Sequence, residues 1–481
     1  MKKGVEEHLL SHAPAIAGGV APRTHALGGA LRSQLPSPRG AVQLGAGLAA
    51  TSLVLWLVGG AAAAGLGVIA LVAGAVSLRH PYLLGPFVAL LLPFGDRAHV
   101  LQAQVAPLEA AIGGGAIGYV TGLALRHERL RLRACHWTFA VLVFCIGVSA
   151  LGPADASKQA RDVLLWGALG CVYHAVTTHL DGPRNIRLLL VGLAVPMLAE
   201  ATLAVFEYID TWSQRFSRLD GAIVYPLPKG TLDHPNALAQ FLVLTSFAVF
   251  ALVQLVGVRG PLRRLGVLAA GASGLALLVT FSRASWIAFV AGVCVFVAER
   301  TVRGRVVVAG AVVAGGAAVL ALVGRGAIGE RISSLFTATR LSSFRVELWE
   351  SAARSAVAHP VTGTGRFNEV GVYAGRPDVA THPHNLFLGL AVFYGIPAAV
   401  GFAWLVVLAA RATWQGARQA SLDARLGALG FLAVLVVLLV NGVFEYPFWN
   451  LSLTALVVLL LALSVSLGRH APHGQRLLAD R

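Results

Sequence analysis

Long apolar runs recur from one end of this sequence to the other, and they constrain the fold more than any motif does. A helix of about 20 apolar residues crosses the hydrocarbon core of a bilayer. Such segments must be helical, because hydrocarbon offers no hydrogen-bond partner to an open backbone. Charged residues make up only 12% of the chain, against 57% hydrophobic residues, whereas soluble proteins carry about 25% charged residues. The sequence therefore predicts an all-α, polytopic membrane protein.

The apolar runs give about fourteen candidate spans, or about 12 if the shortest ones do not cross the membrane. Their predicted positions are 41–78 as a hairpin of two helices, 81–94, 106–125, 136–151, 163–180, 188–208, 236–257, 265–282, 284–299, 306–324, 385–410, 426–444 and 451–467. The chain is thereby predicted to divide into a disordered cytoplasmic tail at 1–40, N-terminal transmembrane helices at 41–324, a long periplasmic loop at 325–384, C-terminal transmembrane helices at 385–467 and a cytoplasmic tail at 468–481.

The basic residues predict the orientation of these spans. The formal net charge is +16, but it is scattered in short clusters between apolar runs, and the Arg clusters at 126–133, 184–187, 259–264, 300–305 and 411–425 all fall on one side of the predicted topology. Because cytoplasmic loops carry the excess of Lys and Arg, we expect that side, with both termini, to be cytoplasmic. This pattern argues against nucleic-acid binding. The four cysteines show no paired spacing, so they predict neither a disulfide framework nor a metal site.

Two longer segments, 209–235 and 325–384, lie on the opposite side, which is predicted to be periplasmic. Connections longer than about 15 residues are usually functional or disordered. Within the second segment, residues 343–357 predict an amphipathic helix with Phe344, Leu348, Ala352 and Ala356 on one face. Such a helix tends to lie along the membrane interface.

Candidate phosphate-binding cations lie on this same side. Arg283 interrupts the apolar stretch 265–299, at the outer end of two predicted helices. A guanidinium binds phosphate through two parallel hydrogen bonds, which are stronger where the dielectric constant is low. The alternative interpretation is an arginine at a helix boundary whose head group reaches the interface.

A second candidate is the segment from Lys229 to Asn236, in which a glycine turn and a proline precede the predicted helix. Backbone N–H groups at the start of a helix bind anions. Lys229 would add positive charge, as would Arg215 and Arg218 upstream. The alternative is an ordinary capped junction between a loop and a helix.

Histidine and glutamate residues on this face are candidates for proton transfer. His382-Pro383-His384-Asn385 ends the long loop, and imidazole is suited to take a proton from a hydroxyl group near neutral pH. Glu445 lies at the turn between the last two helices, where it could pair with an arginine or hold a sugar. Solvated or capping histidines, and a plain interfacial turn with aromatic residues, are the alternatives.

Three motifs within residues 200–460 resemble the O-antigen ligase and O-antigen polymerase superfamily of bacterial lipid-linked glycan transferases. They are Gly230-Thr231-Leu232-Asp233-His234-Pro235-Asn236, Phe281-Ser282-Arg283, and the stretch from Arg345 to Asn385 with Arg345-x-x-x-Trp349, Pro360-x-x-Gly363-x-Gly365 and His384-Asn385. Their order and their placement on one side of the membrane carry the resemblance.

The resemblance implies a GT-C-like glycosyltransferase of the bacterial inner membrane, with a periplasmic active site, no cofactor and no metal. It implies a glycan on undecaprenyl pyrophosphate as donor, a glycan or the lipid A core as acceptor, and membrane lipids as surroundings. His384 would activate the acceptor hydroxyl and Arg283 would hold the pyrophosphate. Lys229 replaces a more usual arginine and lacks its bidentate geometry, so Arg215, Arg218 or Arg345 is a further candidate. The supporting residues would be Asn236, His382, Asn385 and Glu445.

The predicted reaction is a single displacement that inverts the anomeric carbon, with the leaving pyrophosphate stabilised by the cations. A polymerase of O-antigen or exopolysaccharide would use the same chemistry. So would a protein O-oligosaccharyltransferase, which the Glu445-Tyr446-Pro447 turn resembles. A membrane transporter is the alternative from another class, and it predicts inverted repeats and charges near the bilayer midplane. Glu200 is the main charge in the apolar runs that fits this description.

Overall fold

The computed structural model confirms the all-α, polytopic class, because every predicted span that falls among its described residues is helical. The first predicted helix (about 41–61), the span 306–324 and the tail 1–40 lie outside those residues. The described residues are 62–95, 98–100, 103–128, 130–152, 156–180, 182–210, 218–219, 222–223, 227–232, 234–257, 260–297, 299–304, 339–365, 382–418 and 421–470.

Nine of the described helices precede the long loop, and the longest connection between them runs from residue 211 to residue 234. Prolines stand in the first turn of several of them, where a missing N–H costs nothing. In chain order the helices are α1 (Ala62–Arg79), α2 (Leu84–Leu90), α3 (Pro107–Leu125), α4 (Ala134–Val148), α5 (Ala156–His179), α6 (Gly182–Asp210), α7 (Pro235–Val256), α8 (Pro261–Val279) and α9 (Arg283–Val297).

The later helices are α10 (Thr339–Ala358), α11 (Leu386–Tyr394), α12 (Ile396–Gly416), α13 (Leu422–Phe444) and α14 (Leu451–His470). Among the described residues, 8 helices are long and apolar enough to cross a membrane. Two short antiparallel hairpins lie in connections and leave the class unchanged. They pair β1 (Ala98–Val100) with β2 (Ala103–Val105), and β3 (Arg218–Leu219) with β4 (Ala222–Ile223).

The predicted single span 385–410 is instead two helices, which meet at Gly395. This glycine has a φ of 89°, a conformation that other residues rarely adopt. The Ile396 N–H donates to the Pro360 carbonyl, 2.8 Å away. A Cβ on Gly395 would collide with the Val361 carbonyl. The turn after α10 therefore packs against this break, and a side chain at residue 395 would prevent the contact.

The predicted amphipathic helix is confirmed as α10, and it begins a few residues earlier than expected. Leu348, Ala352 and Ala356 are buried, and α10 packs against α11. Its apolar face therefore fixes it to the bundle next to the start of α11.

Contacts between helix ends agree with the two predicted sides. On the predicted cytoplasmic side, residue pairs in contact are Arg126 with the Leu78 carbonyl, Tyr119 with His179, and Arg425 with Glu299. On the opposite side, they are Thr231 with the Pro93 carbonyl, Lys158 with the Gly365 carbonyl, and His384 with Glu445.

Helices α7, α13 and α14 form the centre of the bundle and contact one another. In α7 and α13, 72% of the most apolar stretch is buried, against 28% in α8, and residues 451–466 of α14 are all buried. These three helices are therefore surrounded by the rest of the bundle along most of their length.

Candidate active site

The outer end of α13 collects hydrogen bonds from distant parts of the chain. We call residues 441–445 the α13 terminus. Hydrogen bonds join it to four residues of other helices: Asn236 at the start of α7, Ser285 at the start of α9, Asn385 at the start of α11 and Arg345 within α10. Residues far apart in sequence thus converge on a single helical turn.

Glu445 is the charged centre of the α13 terminus, and it is only 4% exposed. Its Oε2 lies 3.1 Å from His384 Nδ1. Its Oε1 accepts hydrogen bonds from Asn236 Nδ2 at 2.8 Å and Arg345 Nη2 at 3.4 Å. A buried carboxylate is tolerated only when it is paired and hydrogen-bonded, and here both oxygens have partners.

The Glu445 contact fixes the tautomer of His384. Because a carboxylate only accepts hydrogen bonds, Nδ1 carries a proton in this contact, and in the neutral form of the ring Nε2 then has the lone pair. The His384 side chain is 27% exposed, so it is reached from outside. Burial raises the pKa of Glu445, but the hydrogen bond from His384 and the charges of His384 and Arg345 outweigh it and leave that pKa below its usual value.

Arg345 and Asn385 also bind the carbonyl groups that end α13. Arg345 Nη1 donates to the Phe444 carbonyl at 2.8 Å, and Asn385 Nδ2 donates to the Val443 carbonyl at 3.2 Å. The last carbonyls of a helix have no partner within it, and they carry a partial negative charge. The Arg345 guanidinium therefore stabilises this end of α13 as well as Glu445.

The backbone around His384 is held on both sides. His384 has a φ of 46°, which is uncommon for a residue other than glycine. Asn385 caps α11, since its side chain accepts hydrogen bonds from the Phe387 and Leu388 N–H groups. Trp349, one turn after Arg345 in α10, donates from Nε1 to the Pro383 carbonyl at 3.0 Å. Helix α10 thus contacts both the His384 loop and Glu445.

His382 lies against His384, with 4.2 Å between the ring centroids, and it stacks on Trp449 at 5.7 Å. It is 8% exposed. Burial, and next the charge of His384, lower the pKa of His382 to about 3. The ring of His382 is therefore neutral under physiological conditions.

Three side chains of the site carry atoms that can bind a metal ion. One donor atom each from His382, His384 and Glu445 lie within 4.8 Å of one another. The sequence predicts no metal, because its cysteines lack paired spacing and no His/Asp cluster demands one. The fold nevertheless brings two imidazoles and a carboxylate together.

Arg283 begins α9 at the same end of the bundle. Asn441 Nδ2 donates to Ser285 Oγ at 2.9 Å, which joins the first turn of α9 to the last turn of α13. Phe281 has a φ of 54° in the turn before Arg283. The structure therefore places the first turn of α9, in which Arg283 is the first residue, against the last turn of α13.

The backbone N–H groups of the turn before α7, which were predicted to bind an anion, have partners within the protein. Glu207 Oε2 accepts hydrogen bonds from the Lys229 and Gly230 N–H groups at 2.9 and 3.0 Å. Glu200 Oε2 accepts one from the Thr231 N–H at 3.1 Å. The N–H groups of residues 229–231 thus bind protein carboxylates rather than a substrate anion, and anion binding by the rest of the segment stays a prediction. The Lys229 side chain is exposed.

The structure does not describe the side chains of the two remaining predicted cations, Arg215 and Arg218. Arg215 lies outside the described residues, and Arg218 lies in β3, where only the backbone is described. Their proposed roles stay predictions.

Residues 268–403 match a protein-family model that is described as O-Antigen ligase. The match confirms the resemblance to the O-antigen ligase and polymerase superfamily. The O-antigen ligase segment contains Arg283, Arg345 and His384, whereas Asn236 and Glu445 lie outside it and reach it through the fold. No curated protein matches the chain.

Several residues of the site were not predicted. No motif contains Asn441, Ser285 or Glu207, and Trp349 is marked only through the motif Arg345-x-x-x-Trp349. Asn441 had a detectable signal, because a polar side chain in the apolar run 426–444 is costly unless it has a partner. Ser285 and Glu207 lie near the ends of apolar runs, where polar residues are common.

Proposed function

We propose that this protein moves a glycan from undecaprenyl pyrophosphate to an acceptor hydroxyl group, in the manner of an O-antigen ligase. The acceptor we expect is the lipid A core or a similar glycan. The observation that carries the proposal is the buried Glu445 carboxylate bonded to His384, a residue of the O-antigen ligase segment, at a helix end that also bonds the first turn of α9.

In the proposed reaction, His384 Nε2 accepts the proton of the acceptor hydroxyl group. The acceptor oxygen attacks the anomeric carbon of the donor, and the bond from that carbon to the pyrophosphate oxygen breaks. Glu445 stabilises the imidazolium that forms, as a carboxylate does beside a catalytic histidine. A single displacement of this kind inverts the anomeric centre.

Cations stabilise the undecaprenyl pyrophosphate that leaves. Arg283 is assigned to the pyrophosphate, and exposed Lys229 is a second candidate, with Arg215 and Arg218. Arg345 already has two nitrogen atoms on the α13 terminus, so we assign it to holding Glu445. Since side chains supply both the base and the positive charge, the proposed step uses no metal.

The proposed location is the bacterial inner membrane, with the site facing the periplasm. It is supported by the excess of Lys and Arg on the opposite side of the predicted topology. The transporter alternative loses its main support, because buried Glu200 binds Thr231 through both the N–H and the hydroxyl group. This glutamate anchors a turn.

The test is deletion of the gene followed by examination of surface glycan and of lipid-linked intermediates. A ligase predicts loss of surface glycan together with accumulation of polymerised glycan on its lipid carrier. Accumulation of single repeat units would instead assign the polymerase reaction. Unchanged surface glycan and unchanged intermediates would contradict both.

A further inference from the structure

The donors around His384 resemble the ligand set of a transition metal. Zn²⁺ binds imidazole nitrogen and carboxylate oxygen at about 2.0–2.2 Å, and three protein ligands with one open position are common. Tetrahedral ligands at that distance are about 3.3–3.6 Å apart. The donor atoms of His382, His384 and Glu445 lie within 4.8 Å of one another, so each pair has to approach by at most about 1.5 Å to reach this spacing.

The surroundings also suit an ion. Glu445 and His382 are 4% and 8% exposed, unlike surface carboxylates, which cluster commonly without binding a metal. Asn236 and Arg345 hydrogen-bond Glu445 Oε1, which leaves Oε2 directed at His384. Such outer partners orient metal-binding carboxylates. The 27% exposure of the His384 side chain gives an ion a path inward and room for a water ligand.

We infer that Zn²⁺ binds His382, His384 and Glu445 and inhibits glycan transfer. The binding rests on the donor atoms alone, whereas the inhibition rests on the proposed function of His384. Coordination at Nε2 occupies the lone pair that accepts the proton. Coordination at Nδ1 forces the single proton of the neutral ring onto Nε2. In either case His384 no longer acts as a base.

Binding is tested on the purified full chain after treatment with a chelator. Co²⁺ is added as a probe, because tetrahedral coordination gives it strong visible absorption, and Zn²⁺ is then added to displace it. We expect His382→Gln and Glu445→Gln to weaken Co²⁺ binding at least about tenfold. His359→Gln is the matched control, since His359 lies on the same side at the end of α10 and outside the cluster. Absence of Co²⁺ and Zn²⁺ binding by the unaltered chain would overturn the site.

Inhibition is tested by glycan transfer in proteoliposomes, with each variant compared with its own rate without zinc. Micromolar Zn²⁺ should stop transfer by the unaltered chain and by His359→Gln, and a chelator should restore it. Residual transfer by His382→Gln should need at least about tenfold more Zn²⁺. Transfer that continues, or rises, with Zn²⁺ bound would overturn the inhibition. Co²⁺ binding without any transfer in zinc-free protein would instead contradict the proposed function and leave the metal site standing.

Discussion

His384 and Glu445 are 61 residues apart in sequence, yet His384 Nδ1 lies 3.1 Å from Glu445 Oε2. One residue ends the long outer loop, and the other follows the last turn of α13. In the neutral form of the ring, this pairing fixes which nitrogen carries the proton and leaves Nε2 for the proposed role of a base.

Replacing His384 with alanine should lower the rate of glycan transfer by about 10²–10⁴-fold, the usual contribution of a general base. His384→Asn should lose the rate equally while retaining more stability, because asparagine tolerates the positive φ of this position. The measurements are transfer in proteoliposomes and thermal unfolding of the purified variants. Normal transfer by either variant would remove His384 from the mechanism.

Glu445→Gln should keep the shape of the side chain but lose its charge. We expect kcat to fall by about 10- to 100-fold with little change in KM for the donor, because the imidazolium loses its stabilising carboxylate. Glu445→Ala should also lower thermal stability, since it leaves Asn236 and Arg345 without this acceptor. A KM effect without a kcat effect would assign Glu445 to substrate binding instead.

Arg283→Ala should raise KM for the lipid-linked donor by about ten- to hundredfold, the effect of losing hydrogen bonds to a charged group. Arg283→Lys should recover only part of this loss, because lysine cannot bind phosphate in a bidentate manner. Arg263→Ala is the matched control, since Arg263 is exposed at the opposite end of α8. Equal KM changes for the Arg283 and Arg263 alanine variants would show that Arg283 has no specific role.

Trp349→Phe removes the hydrogen bond from Nε1 to the Pro383 carbonyl. We expect a loss of about 1 kcal/mol of stability and a fall in kcat of about fivefold, because that bond holds the backbone next to His384. Trp414→Phe, at a position that is 52% exposed, serves as control. If kcat is unchanged while stability falls, Trp349 supports the fold and has no effect on the orientation of His384.

The buried His382 should make the fold sensitive to acid. Its pKa is about 3 in the folded chain, against 6.5 for the ordinary side chain, so the unfolded chain binds more protons between these values. Stability therefore falls as pH drops below 6.5, by about 1 kcal/mol between pH 6.5 and 5.5. Thermal unfolding at both pH values should show a smaller decrease for His382→Gln. An identical decrease in both proteins would contradict the burial of a neutral ring at this position.

The sequence predicted the helices and candidate residues of the site better than the contacts between those residues. Residue spacing predicted α10, because its apolar residues recur with the period of a helix, and Asn385 marked the start of α11. Glu445 was expected to meet an arginine or a sugar, but only packing brings it to Arg345, His384 and Asn236 together. Periodicity carries no information about contacts between helices that are distant in sequence.

One local expectation failed, and one alternative lost its support, for a related reason. The span 385–410 was predicted as one helix, since its apolar run continues through Gly395, where the turn at Pro360 packs. Glu200 was the main charge that fitted the transporter alternative, yet its partner Thr231 lies 31 residues further along the chain. In each case the contact that decides the local structure comes from a segment outside the apolar run.

The α13 terminus also has a consequence for biosynthesis. Asn236 and Glu445 are 209 residues apart, and nascent chains fold from the N-terminus as they emerge from the ribosome. His384, Arg345 and Asn385 are all translated before the residues that bind them. A nascent chain that ends before α13 would therefore hold Arg283 and His384 without Glu445, and the proposed transfer would begin only after α13 has been inserted.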